Sequence, residues 1–283
     1  MNPNDIRDHY TRGDLLQRLQ AALADDGADP LQPTDEALAP YDQFHGRGLE
    51  ATEDLAALVQ PRPGDHLLDV GSGIGGPARY LARRFGCRVT GIDLTPEFCD
   101  VATHLTERQG LQPQVDFRVG DATALPFGDA AFDGAYSMNV SMNIADKARL
   151  YRELWRVLKP GGWLLLSELA RGSGPEVDYP TPWAATAASS FLSTPEQTRL
   201  GLLEAGFEVL RLEDTLDKAR EYAARSRALV AQGGKPPHRA VMLIHGGVAA
   251  QAMANISRAT VEGRVLPVEV LARKPAEAQR ANE

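Results

Sequence analysis

His66-Leu67-Leu68-Asp69-Val70-Gly71-Ser72-Gly73-Ile74-Gly75-Gly76, followed by Val89-Thr90-Gly91-Ile92-Asp93, is the stretch from which the fold of this chain can be read. Leu67 to Val70 reads as a buried strand. The glycines after it let the backbone turn tightly against a ligand, and Pro77-Ala78-Arg79-Tyr80-Leu81 opens a helix. Asp93 closes a second strand, where a carboxylate can accept both hydroxyls of a ribose. Together the two segments describe a nucleotide-type cofactor pocket at the edge of a parallel sheet. Gly71, Gly73 and Gly76 also satisfy G-x-G-x-x-G, so this motif alone leaves a nicotinamide-dependent dehydrogenase open. Glycine-rich turns also occur in α/β domains that bind nothing there.

Outward from that stretch, strand and helix alternate as a doubly wound sheet requires. Strands are expected near 66–71, 88–93, 115–120, 132–138 and 162–169, with helices near 77–85, 96–109 and 146–158. Lys159-Pro160-Gly161-Gly162 stops the last of these helices and leads into Trp163-Leu164-Leu165-Leu166. Two late strands, Phe207 to Leu212 and Val265 to Leu271, suit an antiparallel edge pair. Upstream, Leu15, Leu16, Leu19 and Leu23 mark one face of a helix with Asp14 as its N-cap, Ala24 to Pro33 reads as a loop, and a further helix begins near Ala51. The fold class is therefore α/β: a doubly wound, mostly parallel seven-stranded sheet with N-terminal helices and a helical insertion before the last strand. The expected division is a helical cap at 1–60, a core at 61–214, an insertion at 215–263 serving as a lid or a dimer surface, the last strand at 264–274 and a disordered tail at 275–283.

Composition narrows the class further. The 283 residues are 43% hydrophobic, enough for a substantial core, and no window reaches the roughly eighteen unbroken apolar residues of a membrane span. Met1 to Asp5 lacks the basic start and apolar middle of a signal peptide, so a cytoplasmic protein is expected. Cys87 and Cys99 fit a reducing compartment as two buried thiols, with neither a zinc site nor a disulfide framework. A formal charge of -8 opposes a nucleic-acid partner, and Arg83-Arg84 or Arg220 to Arg227 read as solvated helix faces.

With the strands in place, the chain resembles the class I S-adenosylmethionine-dependent methyltransferases. The resemblance rests on five motifs in order: Asp69 to Gly76, Gly91-Ile92-Asp93, Gly120-Asp121-Ala122-Thr123-Ala124-Leu125-Pro126-Phe127, Ala131-Phe132-Asp133, and Leu158-Lys159-Pro160-Gly161-Gly162. It covers about residues 40 to 215. Tyr41-Asp42-Gln43-Phe44-His45-Gly46-Arg47-Gly48 is similar, more loosely, to segments of sarcosine/dimethylglycine, tocopherol and quinone-methylating enzymes. Neither the first forty residues nor 215–263 match a family of known acceptor. The resemblance implies a cofactor, S-adenosyl-L-methionine, and a methyl transfer to a small-molecule N, O, S or C nucleophile. A non-catalytic binding protein acting through 215–263 stays open beside it.

The residues expected at the cofactor are Tyr41, Gly71, Ser72, Gly73, Asp93, Leu94, Asp121, Ala122 and Asn139. Asp121 follows the third strand, where its carboxylate can accept an exocyclic amine while the Ala122 N–H donates to a ring nitrogen. A sulfonium donor is already activated, so the protein needs to align and desolvate more than to react. His45 is the first candidate for a base or an orienting group, because a neutral imidazole can take a proton near pH 7. Asn143, in the polar and thioether run Ser137 to Asn143, is the second candidate, though Asn also suits the cap of the next helix. Met142 is expected to line the acceptor pocket, and Trp183 to line it or to lie at an interface. His9 and Tyr10 read as a flap or a helix start, and packing is favoured for His238 and His245. No metal site is expected, and a homodimer through 215–263 stays open.

Overall fold

The structure, a computed structural model, describes residues 9–276. The strands are β1 His66–Val70, β2 Arg88–Asp93, β3 Val115–Val119, β4 Phe132–Met138, β5 Leu158–Arg171, β6 Glu208–Asp214 and β7 Val265–Arg273. They form one sheet in the order β3-β2-β1-β4-β5-β7-β6, parallel from β3 through β5, with β7 antiparallel to both of its neighbours. The expected edge pair is there, and within it β7 alone runs against the rest. Chain order reverses between β1 and β4, and a doubly wound sheet opens its ligand crevice at the carboxyl ends flanking such a point.

Among the described residues the helices are α1 Leu15–Asp25, α2 Asp35–Asp42, α3 Leu49–Val59, α4 Gly76–Phe85, α5 Pro96–Arg108, α6 Lys147–Val157, α7 Pro195–Glu204, α8 Leu216–Ala231, α9 Ala240–His245 and α10 Ala249–Val261. Leu55 of α3 and Leu81 of α4 pack with Leu67, Val89 and Leu165 on one sheet face, while Leu150 and Leu154 of α6 and Leu202 of α7 cover the other. A separate cluster joins Leu15, Leu19 and Leu23 of α1 to Leu38, Phe98, Leu243 and Ile244 over the crevice. Thus α3 packs with the sheet's own core, whereas α1 and α2 pack over the crevice.

Several local expectations shift for identifiable reasons. The sequence reading names no helix at 35–42; the chain forms one there with Pro40 inside it, and Thr34 caps it by accepting the Ala37 N–H. Asp14 precedes α1 but does not cap it: its carboxylate accepts from Arg18, and Glu97 of α5 instead accepts the Leu15 N–H at 2.8 Å and the Gly13 N–H at 3.0 Å. β5 begins at Leu158, four residues before the expected start, because Leu158 already pairs with Phe132 and Gly161, at φ +81, absorbs the register shift. The run Ala240–Val261 is apolar enough by composition to cross a membrane, but it is two helices joined by Gly246 and Gly247 and packed into this fold, which shows no span. The tail expected to be disordered lies, from 277 on, outside the described residues.

Candidate active site

Backbone geometry at the β1 end makes the first wall of a cavity of about 760 Å³. Gly71 has φ +72 and Gly73 φ +52, the left-handed region that residues with a Cβ rarely adopt. A Cβ on Gly71 would overlap the Val140 side chain, and one on Gly73 would stand 2.9 Å from the Phe44 ring. The turn therefore brings bare backbone to the cavity. Asp93, at the β2 end, accepts the Gly73 N–H at Oδ2 and the Thr95 N–H at Oδ1, each at 2.9 Å. Burial pushes its carboxyl up to about 6, against the pull of those backbone donors.

Asp69, at the end of β1, is pushed further, to about 7, by burial first, with the Tyr136 hydroxyl opposing and the Asp93 charge adding. Ser72 Oγ is buried without a hydrogen-bond partner. A buried and a half-buried acid with an unpartnered hydroxyl on one cavity wall call for a ligand that is cationic and rich in donors. A ribose with a sulfonium and an α-ammonium meets that demand, so the residues present fit S-adenosylmethionine. Leu94, Asp121 and Ala122 continue the same wall. Asp121 Oδ1 accepts the Thr123 N–H at 2.7 Å and its hydroxyl at 2.8 Å, which fixes the turn after β3.

The opposite wall is the loop after β4. Asn139 sits at φ +57, its N–H bonded to the Ser167 carbonyl at 2.8 Å, and lines the cavity. Asn143 lines it too, donating from Nδ2 to the Trp183 carbonyl at 2.7 Å and accepting the Tyr10 hydroxyl at 3.3 Å. It does not cap the next helix, because Asp146 does, by accepting the Arg149 N–H. Glu168 of β5 accepts the Ser137 hydroxyl at 2.9 Å and the Val140 and Ser141 N–H groups at 3.0 Å, while burial pushes its carboxyl up. Lys147 donates to the carbonyls of Ser141 at 2.6 Å, Phe191 at 2.8 Å and Ile144; burial lowers it to about 8. A buried anion on the loop's N–H groups and an ammonium on its carbonyls hold 140–146 from both sides. The sequence reading missed both residues: Glu168 carried a signal, as an acid in the largely apolar run Trp163 to Ala170, and Lys147 carried none.

Of the expected residues, Gly71, Ser72, Gly73, Asp93, Leu94, Asp121, Ala122, Asn139, Asn143 and His45 all line this cavity, as do Met142 and Trp183. Tyr41 does not, which corrects its expected place at the cofactor. Helical periodicity turns it away from the cavity toward α1, where its hydroxyl donates to Asp26 at 2.7 Å and the Arg239 guanidinium stacks 4.6 Å from its ring. Tyr10 lines the cavity with His238 and His245. His45 is 4% exposed, and burial pushes its imidazole down to about 3, so it stays neutral and is a weaker base than an unperturbed histidine. The insertion 215–263 roofs the cavity through Ala219, Tyr222, Met253 and Ile256, among others. Among the described residues no group of His, Cys, Asp and Glu could hold a metal.

Comparison with known proteins agrees with this geometry. A family profile described as "Methyltransferase domain" matches residues 68–166. Phosphoethanolamine N-methyltransferase 3 of Arabidopsis thaliana is 32% identical over 198 residues, covering 67% of this chain and 39% of that protein. The chain spans from about a quarter to somewhat under two thirds of the length of this and three further curated relatives. The structure of the [4+2]-cyclase SpnF superposes with a TM-score of 0.67 at 26% identity, covering 93% of this chain and 94% of that one. A putative sarcosine dimethylglycine methyltransferase from Galdieria sulphuraria, at 20% identity and a TM-score of 0.65 over 81% of this chain and 87% of its own, shares the fold.

Proposed function

We propose that this chain, which belongs to the class I S-adenosylmethionine-dependent methyltransferases, transfers a methyl group from S-adenosylmethionine to a small molecule. The observation that carries the reading is the pair of carboxyl groups, buried Asp69 and half-buried Asp93, flanking the bare-backbone turn at Gly71 to Gly73 in a cavity that continues past them. Asp93 would take the ribose, Asp121 and Ala122 the adenine, and Asp69, Ser72 and the glycine backbone the amino-acid portion. The bound donor supplies a methyl group on a sulfonium. The chain's own contribution is alignment and exclusion of water, which in well-oriented systems is worth roughly 7–11 kcal/mol.

Beyond that wall the lining is largely apolar, with Met142, Leu169, Trp183, Met253, Ile256 and Val261. That lining favours an extended, largely apolar acceptor over a phosphorylated one. Arg47, which also faces the cavity, is bound to Asp54 at 2.8 Å and lies 3.7 Å from Glu269, and Arg220 and Arg227 line the cavity too, so the preference rests on the apolar lining and not on a lack of cations. Asn139, Asn143 and His45 supply the polar groups that would orient such an acceptor. The insertion 215–263 acts, in this reading, as a lid. Its compartment is cytoplasmic, which the two free, buried cysteines support.

One observation favours a second reading. The chain likened end to end to this one at 26% identity is named for a cyclisation, so the same cavity suits an apolar substrate rearranged without methylation. Incubation with isotopically labelled S-adenosylmethionine and a fractionated metabolite extract separates the two by mass spectrometry. Label in one defined metabolite is expected. A metabolite consumed without gaining label would replace methyl transfer with the second reading.

A further inference from the structure

Five buried side chains between α2, α3 and α4 form a line in which each hydrogen bond dictates the direction of the next. Arg79 is only a donor, and its Nη2 lies 2.8 Å from Asp42 Oδ2. Gln43 Nε2 stands 3.0 Å from Asp42 Oδ1, so the amide turns its nitrogen to the carboxylate and its oxygen to Thr52. That oxygen has no proton to give. The Thr52 hydroxyl, 2.6 Å away, must therefore donate to it. With its one proton committed, Thr52 Oγ1 can only accept from His45 Nε2, at 3.2 Å. All five residues are at most 6% exposed, so water does not compete for these bonds.

The other tautomer of His45 fares worse. Nδ1–H would reach the Gly46 carbonyl at 3.4 Å, at the limit of a hydrogen bond, while an unprotonated Nε2 would compete with Gln43 for the single Thr52 proton. One short bond would be surrendered for one long one. We propose that the Arg79-Asp42-Gln43-Thr52 line locks His45 as the neutral Nε2–H tautomer, leaving the Nδ1 lone pair for an O–H or N–H donor in the cavity that His45 lines. Gln43 and Thr52 are then positioning residues. The role of Nδ1 toward an acceptor rests on the methyl-transfer reading; the tautomer itself does not.

Nitrogen-15 NMR of the uniformly labelled full chain, without ligand at pH 7, reads the tautomer directly. The expected spectrum has a pyrrole-type Nε2 and a pyridine-type Nδ1 for His45, identified by their loss in His45→Gln. Thr52→Val removes the acceptor and should shift His45 toward the Nδ1–H form, whereas Thr52→Ser should preserve the wild-type pattern. Gln43→Met frees the Thr52 proton and should shift it as Thr52→Val does, which covers failure of either variant to fold. In turnover, Thr52→Val is expected to lower kcat at least tenfold with the donor KM within twofold, and Thr52→Ser to restore it. A wild-type Nδ1–H or imidazolium form, or a tautomer indifferent to both Thr52→Val and Gln43→Met, would overturn the proposal. Because the spectrum needs no substrate, failure to methylate would remove the functional reading and leave the tautomer standing.

Discussion

The floor of the cavity and its roof enclose the same space but are held by different forces. The floor is backbone: strand ends fixed by the sheet, a glycine turn with Gly71 and Gly73 in the left-handed region, and the Asp93 carboxylate bonded to two N–H groups. The roof is long-range side-chain contact. α8 buries no residue of its own and is fastened by exposed pairs, Lys218 to Asp54 and Arg225 to Glu50. Pairs of that kind contribute about 0–1 kcal/mol each. The floor is therefore set by the sheet, whereas α8 rests on contacts that are each worth little.

The largest expected break is on the floor. Gly71→Ala forces a Cβ into left-handed backbone and against Val140, so stability should fall by roughly 2–5 kcal/mol from strain and overpacking together. Donor binding should fall with it. Thermal unfolding alongside calorimetry with S-adenosylhomocysteine would measure both. A Gly71→Ala protein as stable and as tight-binding as wild type would mean that the turn has slack the geometry does not show.

Next in size is the pH response of the same wall. With its folded pKa raised to about 7, Asp69 holds its proton more tightly folded than unfolded, so its contribution to stability is full below about pH 4 and is lost as pH rises toward 7. Asp69→Asn removes that loss and should stabilise the unliganded protein at pH 8 by roughly 2–4 kcal/mol. The gain should shrink steadily as pH falls toward 5. The cationic donor, by contrast, needs the carboxylate ionised, so wild-type donor affinity should weaken below pH 7, and Asp69→Asn should weaken it at every pH. Equal stability of the two proteins from pH 5 to 8 would show that Asp69 is not desolvated in solution.

Smaller again is Asp93→Ala, which removes the ribose acceptor and should weaken donor binding by roughly 1.5–3 kcal/mol, the range for a hydrogen bond to a charged group. Unchanged affinity in calorimetry would take Asp93 out of the donor site.

That contrast also explains what was legible in the sequence. The floor could be read because its chemistry is local: Asp69 to Gly76 and Gly91 to Asp93 each carry their geometry within a few residues, and Gly71, Ser72, Gly73, Asp93, Asp121 and Ala122, read from such motifs, meet at one cavity. The roof could not. Tyr41 looked like part of a site segment, but a helix that the sequence reading did not name turns it toward Asp26, fifteen residues away. Glu97 as the cap of α1, and Lys147 as the clamp on 140–146, depend on partners 82 and up to 44 positions distant, and no periodicity encodes that. His45 fell between the two. Its segment marked it, but the neutral state set by its burial and the direction of its bond to Thr52 belong to the packed network.

The smallest expected effect tests the roof alone. Asp26 is the shared acceptor of Lys235, Arg239 and the Tyr41 hydroxyl, so it ties the segment before α9 to α1 and α2. Because Lys235 is well exposed and Arg239 about one-fifth exposed, Asp26→Ala should cost no more than about 1 kcal/mol in global stability. Its effect should instead be local, with faster hydrogen exchange over residues 232–245 and a two- to tenfold faster release of S-adenosylhomocysteine from an unchanged floor. Raising salt from 0.1 to 1 M, which shortens the Debye length from about 10 to 3 Å, should reproduce much of this in wild type and add little in the variant. Additive effects of salt and substitution would mean that the apolar contacts of Leu243 and Ile244 with α1, and not these charges, hold the roof closed.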